Sequence, residues 1–114
     1  MGKSSRTKGA RAQTAAKNLL TERDWRVTTT SSGASQEDII ATDPQGRTWS
    51  VEVKDRKEIS PAAFRAQARA QAKRSGLPWM VMAHWYGTRC WVVERQGEGV
   101  SVWHERKARS DDDK

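Results

Sequence analysis

Apolar residues recur at spacings of three and four from residue 9 to about residue 24. Ala12, Ala15, Ala16, Leu19 and Leu20 fall on one face of a run rich in helix-favouring residues, which predicts a helix covering a sheet. The pattern then changes to the two-residue period and β-branched composition of strands. Residues 25–30 predict a first strand, and 38–42 and 48–54 predict two more around Asp43-Pro44-Gln45-Gly46, a hairpin signal. Ser60 then Pro61 reads as an N-cap with proline at the first helical position, and Gly76 with Pro78 closes this second helix. Three further strand-like runs, 79–85, 90–94 and 100–103, are separated by Gly87-Thr88 and by residues 96–99. The predicted order is αβββαβββ, within one domain over residues 9–108. Residues 1–8 carry three cations and no apolar period, so a flexible basic arm is expected there. A disordered charged tail is expected over 109–114.

The strand 48–54 alternates: Trp49, Val51 and Val53 point one way, and Ser50, Glu52 and Lys54 the other. A carboxylate and an ammonium therefore share a face. Whether a second acid joins them depends on the preceding turn. Pro44-Gln45-Gly46 suits a three-residue loop ending in a left-handed glycine, which pairs Asp43 with Arg47. Opposed positions then sum to 90, so Asp38 falls opposite Glu52. A two-residue loop would shift the sum to 89 and move Asp38 to the face of Val51.

Charge narrows the partner. Lys and Arg number 21 against 14 Asp and Glu, a net +7, which favours a polyanion and nucleic acid first. No run of about 18 apolar residues and no signal-peptide pattern is present, so the expected location is cytoplasmic. The single cysteine, Cys90, cannot form an internal disulfide and is read as a core residue. Two close carboxylates repel unless a proton or a cation lies between them, and a hard divalent ion with oxygen ligands is the common solution. Mg²⁺ is the natural candidate, with Mn²⁺ as a substitute.

Asp38, thirteen intervening residues, then Glu52-Val53-Lys54 resembles the PD-(D/E)xK nuclease motif. Lys8-Gly9 before a helix, Ser31-Ser32-Gly33 before Asp38-Ile39, and the hairpin into Val51-Glu52-Val53-Lys54 most resemble archaeal-type Holliday junction resolvases and similar phage proteins. The resemblance covers roughly residues 8–86. It implies a restriction-endonuclease-like αβββαβ core, an α/β fold with a mixed central sheet flanked by helices. It also implies a Mg²⁺-dependent endonuclease, usually a homodimer, that cuts branched DNA. Asp38, Glu52 and Val53 would be metal ligands, and Lys54 would stand at the attacking water. Relatives carry a glutamine on the helix after the motif; Gln67 and Gln71 are available, and Gln67 is slightly preferred as the catalytic one. Where resolvases carry a glutamate in the first helix, this chain has Gln13.

Other residues could touch DNA. Lys3, Arg6, Lys8 and Arg11 precede or open the first helix, and Arg65, Arg69 and Lys73 recur every four residues as a basic stripe. A solvated helix face explains that stripe equally well. Ser32 would contact a scissile phosphate as loop serines do in the resolvases it resembles, although turn chemistry accounts for it too. Trp49, Trp79, Trp91 and Trp103 read as core, and Trp85 and Tyr86 as core or interface rather than base-stacking groups. His84 reads as structural. Two alternatives remain: a nuclease of the same fold acting on flaps, ends or duplex, and a non-catalytic DNA-binding module on this scaffold.

Overall fold

The computed structural model describes residues 2–31, 37–56, 61–85 and 87–105, and at positions 2–10, 30, 31, 37, 38, 56 and 61 it describes the backbone alone. The expected tail, Ser32, Ser60 and Tyr86 lie outside the described residues. The order is α1 (Gly2–Glu22), β1 (Arg26–Ser31), β2 (Glu37–Thr42), β3 (Thr48–Arg56), α2 (Pro61–Ser75), β4 (Trp79–Trp85), β5 (Cys90–Arg95) and β6 (Gly99–His104). All six strands form one sheet in sequence order, β1-β2-β3-β4-β5-β6. Every neighbouring pair is antiparallel except β3 and β4, which are parallel and joined through α2. The expected α/β class, mixed sheet and flanking helices are all present.

One expectation is corrected. Helix α1 starts at Gly2, seven residues before the apolar period begins, so positions 3, 6 and 8 belong to the helix rather than to an arm. Lys and Arg are good helix formers, and extending a nucleated helix adds one hydrogen bond for each residue fixed.

At its other end α1 stops in a Schellman arrangement. Trp25 N–H donates to the Leu20 carbonyl at 3.1 Å and Asp24 N–H to the Thr21 carbonyl at 3.0 Å, with Asp24 in the left-handed region at φ 69°. Leu20 and Trp25, the two apolar residues that flank such a cap, both enter the core. The reversal brings α1 back along β1 in the opposite direction.

The alternation in β3 divides the interior into two layers. Trp49 and Val51, with Ile39, Ala41, Met80, Met82, Trp91, Val93 and Trp103, pack beneath Ala16, Leu19 and Leu20 of α1. On the opposite face Phe64, Ala68 and Ala72 of α2 cover Trp79, Val81 and Ala83. Small alanines at these α2 positions allow the helix to lie close to the sheet.

The turn between β2 and β3 sets the register as the sequence predicted. Asp43 N–H donates to the Arg47 carbonyl at 2.8 Å, Gly46 N–H to the Asp43 carbonyl at 2.9 Å, and Gly46 adopts φ 93°. The resulting pairs are Thr42↔Thr48, Ala41↔Trp49, Ile40↔Ser50 and Ile39↔Val51, each summing to 90. Asp43 itself is buried and fully engaged. Its Oδ1 accepts from the Gln45 and Arg47 amides at 3.0 and 2.9 Å, and its Oδ2 from the Trp49 indole at 3.1 Å. Burial alone would push this carboxyl up, but the indole, the two amides and the nearby Arg95 charge outweigh it and hold it below the usual carboxylate range.

Candidate active site and nucleic-acid surface

Glu52 and Lys54 project from β3 on the α2 side of the sheet, Glu52 at the middle of the strand and Lys54 two residues before its end, where β3 runs parallel to β4. Lys54 Nζ lies 3.1 Å from Glu52 Oε2, and their side chains are 14% and 19% exposed. Both groups are therefore partly withdrawn from water yet reachable from it, which strengthens their mutual attraction over that of a surface pair. Val53, between them, packs its side chain on the α1 core and offers the site only its main-chain carbonyl.

Position 38 lies in β2, paired with Thr30 of β1. It is one step beyond the last β2–β3 pair, Ile39↔Val51, so the register carries position 38 to the level of Glu52. Among the described residues no group of three or more His, Cys, Asp or Glu converges to hold a metal. The donor set around β3 is one of hard oxygens, the Glu52 carboxylate and the Val53 carbonyl, a chemistry that suits Mg²⁺ or Mn²⁺ and does not suit a soft metal.

Helix α2 presents two different flanks. On the β3 side, Gln71 reaches the strand, its Nε2 standing 3.5 Å from both Ser50 Oγ and the Val51 carbonyl, while Gln67 is exposed. Gln71 is thus the α2 glutamine set against the motif strand. On the β5 side, Arg65 makes a bidentate contact with Glu94, Nε to Oε2 at 3.1 Å and Nη2 to Oε1 at 3.2 Å. Its charge is matched within the fold, which separates it from Arg69 and Lys73, exposed on the same flank. Arg11 is exposed on α1, and the backbone of positions 3, 6 and 8 continues that helix toward its amino end.

A second polar cluster, on the α1 side, was not anticipated. His84 Nε2 donates to the Thr88 carbonyl at 2.7 Å, and Nδ1 lies 3.0 Å from Asp55 Oδ1. The Trp91 indole donates to Glu105 at 2.7 Å, with the Trp91 and His84 rings 5.0 Å apart. This cluster ties the end of β3, immediately after Lys54, to the β4–β5 turn. His84 therefore has the structural surroundings expected of it. Trp85, in contrast, is 52% exposed, so it is not a core residue. Cys90 is half-buried.

No protein-family profile and no curated protein matches the chain. Among solved structures, the chain is similar to Hjc, a Holliday junction resolvase from the archaeal hyperthermophile Archaeoglobus fulgidus, with a TM-score of 0.55 at 18% identity, covering 84% of this chain and 88% of that one. At this identity the likeness is one of fold, and it places the six-stranded mixed sheet and its two helices with a nuclease-like fold.

Proposed function

We propose that this chain is a Mg²⁺-dependent, structure-selective DNA endonuclease of the Holliday junction resolvase type, working as a homodimer on branched DNA. The observation that carries this reading is the β2–β3 register. It brings the positions of Asp38 and Glu52 level on adjacent strands, beside a half-buried Lys54, on a resolvase-like fold.

Asp38, Glu52 and the carbonyl of Val53 would hold the ion, with Mn²⁺ as a substitute. When bound, a divalent ion there supplies positive charge to a phosphodiester and lowers the pKa of a coordinated water. Lys54, held by Glu52, is placed to orient the attacking water or to stabilise negative charge developing on the phosphate. Gln71 lies against the same face of the strand, 3.5 Å from Ser50 Oγ and the Val51 carbonyl. Arg69, Lys73 and Arg11 and the amino-terminal cations Lys3, Arg6 and Lys8 would contact phosphates without reading sequence. No described helix is long and apolar enough to cross a membrane, and we assign the protein to the cytoplasm, or to the host cytoplasm if it is viral.

A second reading, a DNA-binding module without catalysis, is favoured by Gln13, which puts an amide where the resolvases it resembles carry a glutamate. The test is cleavage of a labelled four-way junction and its matched linear duplex in Mg²⁺, comparing wild type with Glu52→Gln at equal binding saturation. Junction-selective cutting that the substitution abolishes supports the enzyme. Tight binding without cutting in Mg²⁺ or Mn²⁺ leaves the binding module.

A further inference from the structure

Strand β6 is the last of the sheet, and among the described residues nothing pairs with its outer side. Edge strands are normally blunted by charge, proline or bulges, because their unpaired amides and carbonyls template further pairing. The opposite edge follows this rule, with Arg26, Thr28 and Thr29 exposed along β1. Strand β6 does not. From Gly99 to Trp103 it contains no charged residue and no proline, and Val100 and Val102 are 61% and 56% exposed.

The hydrogen bonding shows which groups are left open. Glu105 N–H donates to the Arg89 carbonyl at 2.9 Å, continuing the β5–β6 ladder, so residues 99, 101, 103 and 105 turn their backbone groups toward β5. Val100, Val102 and His104 therefore turn theirs outward. The residues with free backbone groups include the two with exposed apolar side chains.

From these observations we infer that β6 pairs antiparallel with β6 of a second copy, about a two-fold axis through Ser101, to give a continuous twelve-stranded sheet. A two-fold normal to the sheet preserves its faces, so opposed residues must share a face and the register sum must be even. At a sum of 202, Val100 pairs with the partner's Val102, and Val102 with the partner's Val100. Each of these is a hydrogen-bonded pair, and the four valines form one cluster. Gly99 lies opposite the partner's Trp103, and Ser101 opposite the partner's Ser101. A sum of 204 would set Val100 against the partner's His104, and a sum of 200 would set Val102 against the partner's Glu98. Both bury less apolar surface. The Val-Ser-Val sequence is thus self-complementary at a single register.

That register has a consequence for the candidate active site. Reading across the sheet, Glu52 is level with Val81, Glu94 and Val100, and Lys54 is level with Ala83, Val92 and Val102. The axis at Ser101 therefore sets Glu52 of one copy level with Lys54 of the partner subunit. Each site lies on the α2 side of its own half, the two being seven strand spacings or roughly 34 Å apart along the sheet, and the twist of the sheet rotates one site relative to the other. The pairing itself does not depend on the nuclease reading.

The experiment combines solution mass with register-specific cross-linking in a Cys90→Ser background. Opposed residues of a non-hydrogen-bonded pair have α-carbons roughly 4.5 Å apart, within disulfide reach. Mild oxidation should convert Ser101→Cys to a covalent dimer and leave Val100→Cys and Val102→Cys monomeric on non-reducing gels. Light scattering at micromolar concentration should give twice 12.9 kDa for the wild type and 12.9 kDa for Val100→Lys/Val102→Lys, with circular dichroism unchanged. A monomeric wild type overturns the inference. So does a dimer that cross-links at position 100 or 102 rather than 101, or one that survives the double lysine substitution. None of these readouts requires cleavage, so failure here is distinguishable from failure of the enzyme assignment.

Discussion

Lys54 Nζ stands 3.1 Å from Glu52 Oε2, two residues along the same strand and on the same face. An ammonium held by a carboxylate in a half-buried position is preorganised, so removing it should be felt in the chemical step more than in binding. We expect Lys54→Met to lower cleavage by about 100-fold or more while changing DNA affinity by less than about tenfold, measured by single-turnover kinetics beside equilibrium titration.

Asp43 secures the turn that sets the active-site register, and its contribution is pH-dependent. Its folded carboxyl ionises at lower pH than the unfolded one. The stability it adds is complete above the unfolded carboxylate range and is lost as pH falls through the folded value. Thermal denaturation should show Asp43→Asn less stable than wild type at neutral pH. The gap should narrow steadily as pH is lowered from about 5 to about 2.

Gly46 occupies φ 93°, with nothing within 4 Å of where a β-carbon would stand. Substitution there therefore carries a backbone cost without a steric one. Gly46→Ala should destabilise by about 1–2 kcal/mol in urea unfolding, and by more for valine. The converse applies at Asp24, a non-glycine residue at φ 69° and a carboxylate beside the negative end of α1. Asp24→Gly should stabilise the protein by up to about 1 kcal/mol.

Arg65 and Arg69 are four residues apart on one helix flank but differ in their partners. Arg69→Ala and Lys73→Ala should each weaken DNA binding and reduce the slope of log affinity against log salt by about 1. Arg65→Ala should instead cost about 1 kcal/mol of stability and leave that slope nearly unchanged. Glu94→Gln, which releases the Arg65 guanidinium, should raise non-specific DNA affinity.

Gln71 and Gln67 separate in the same way. Gln71→Ala should reduce both stability and cleavage, because it removes the α2 contact with Ser50 and Val51. Gln67→Ala, at an exposed position, should stay within about 0.5 kcal/mol of wild type in stability.

The contrast between these residues shows what can be read before folding. The β2–β3 register was legible because Asp43 and Gly46 encode it within five residues, and the two-sided character of β3 because side chains alternate. The rotation of α2 was not legible. Its polar residues surround the helix, and Gln67 and Gln71 share one face of it. Only the packing of Phe64, Ala68 and Ala72 on the sheet sets Gln71 against Ser50 and Val51 and leaves Gln67, one turn earlier, exposed. Glu94 as the partner of Arg65 depends on a contact between α2 and β5 across 29 residues of sequence, and the Asp55–His84 contact on the parallel register of β3 with β4. The early start of α1 was hidden because the apolar period, the signal used to place it, begins only after the helix has made two turns.

The one parallel pair among the described strands, β3 with β4, bears on how the chain folds. On one side of it lie the meander β1-β2-β3 and on the other β4-β5-β6, each closed by contacts between sequence neighbours. The junction between them must wait for α2 to bridge residues 56 to 79, a longer loop closure than any within the halves. Substitutions along that junction, such as Val81→Ala, should slow folding most if its pairing limits the rate, and chevron analysis would show it. The positions of Asp38, Glu52 and Lys54 all lie on β2 and β3, so that constellation belongs to the first half alone, and joining the halves adds the flank of β4 and the cover of α2.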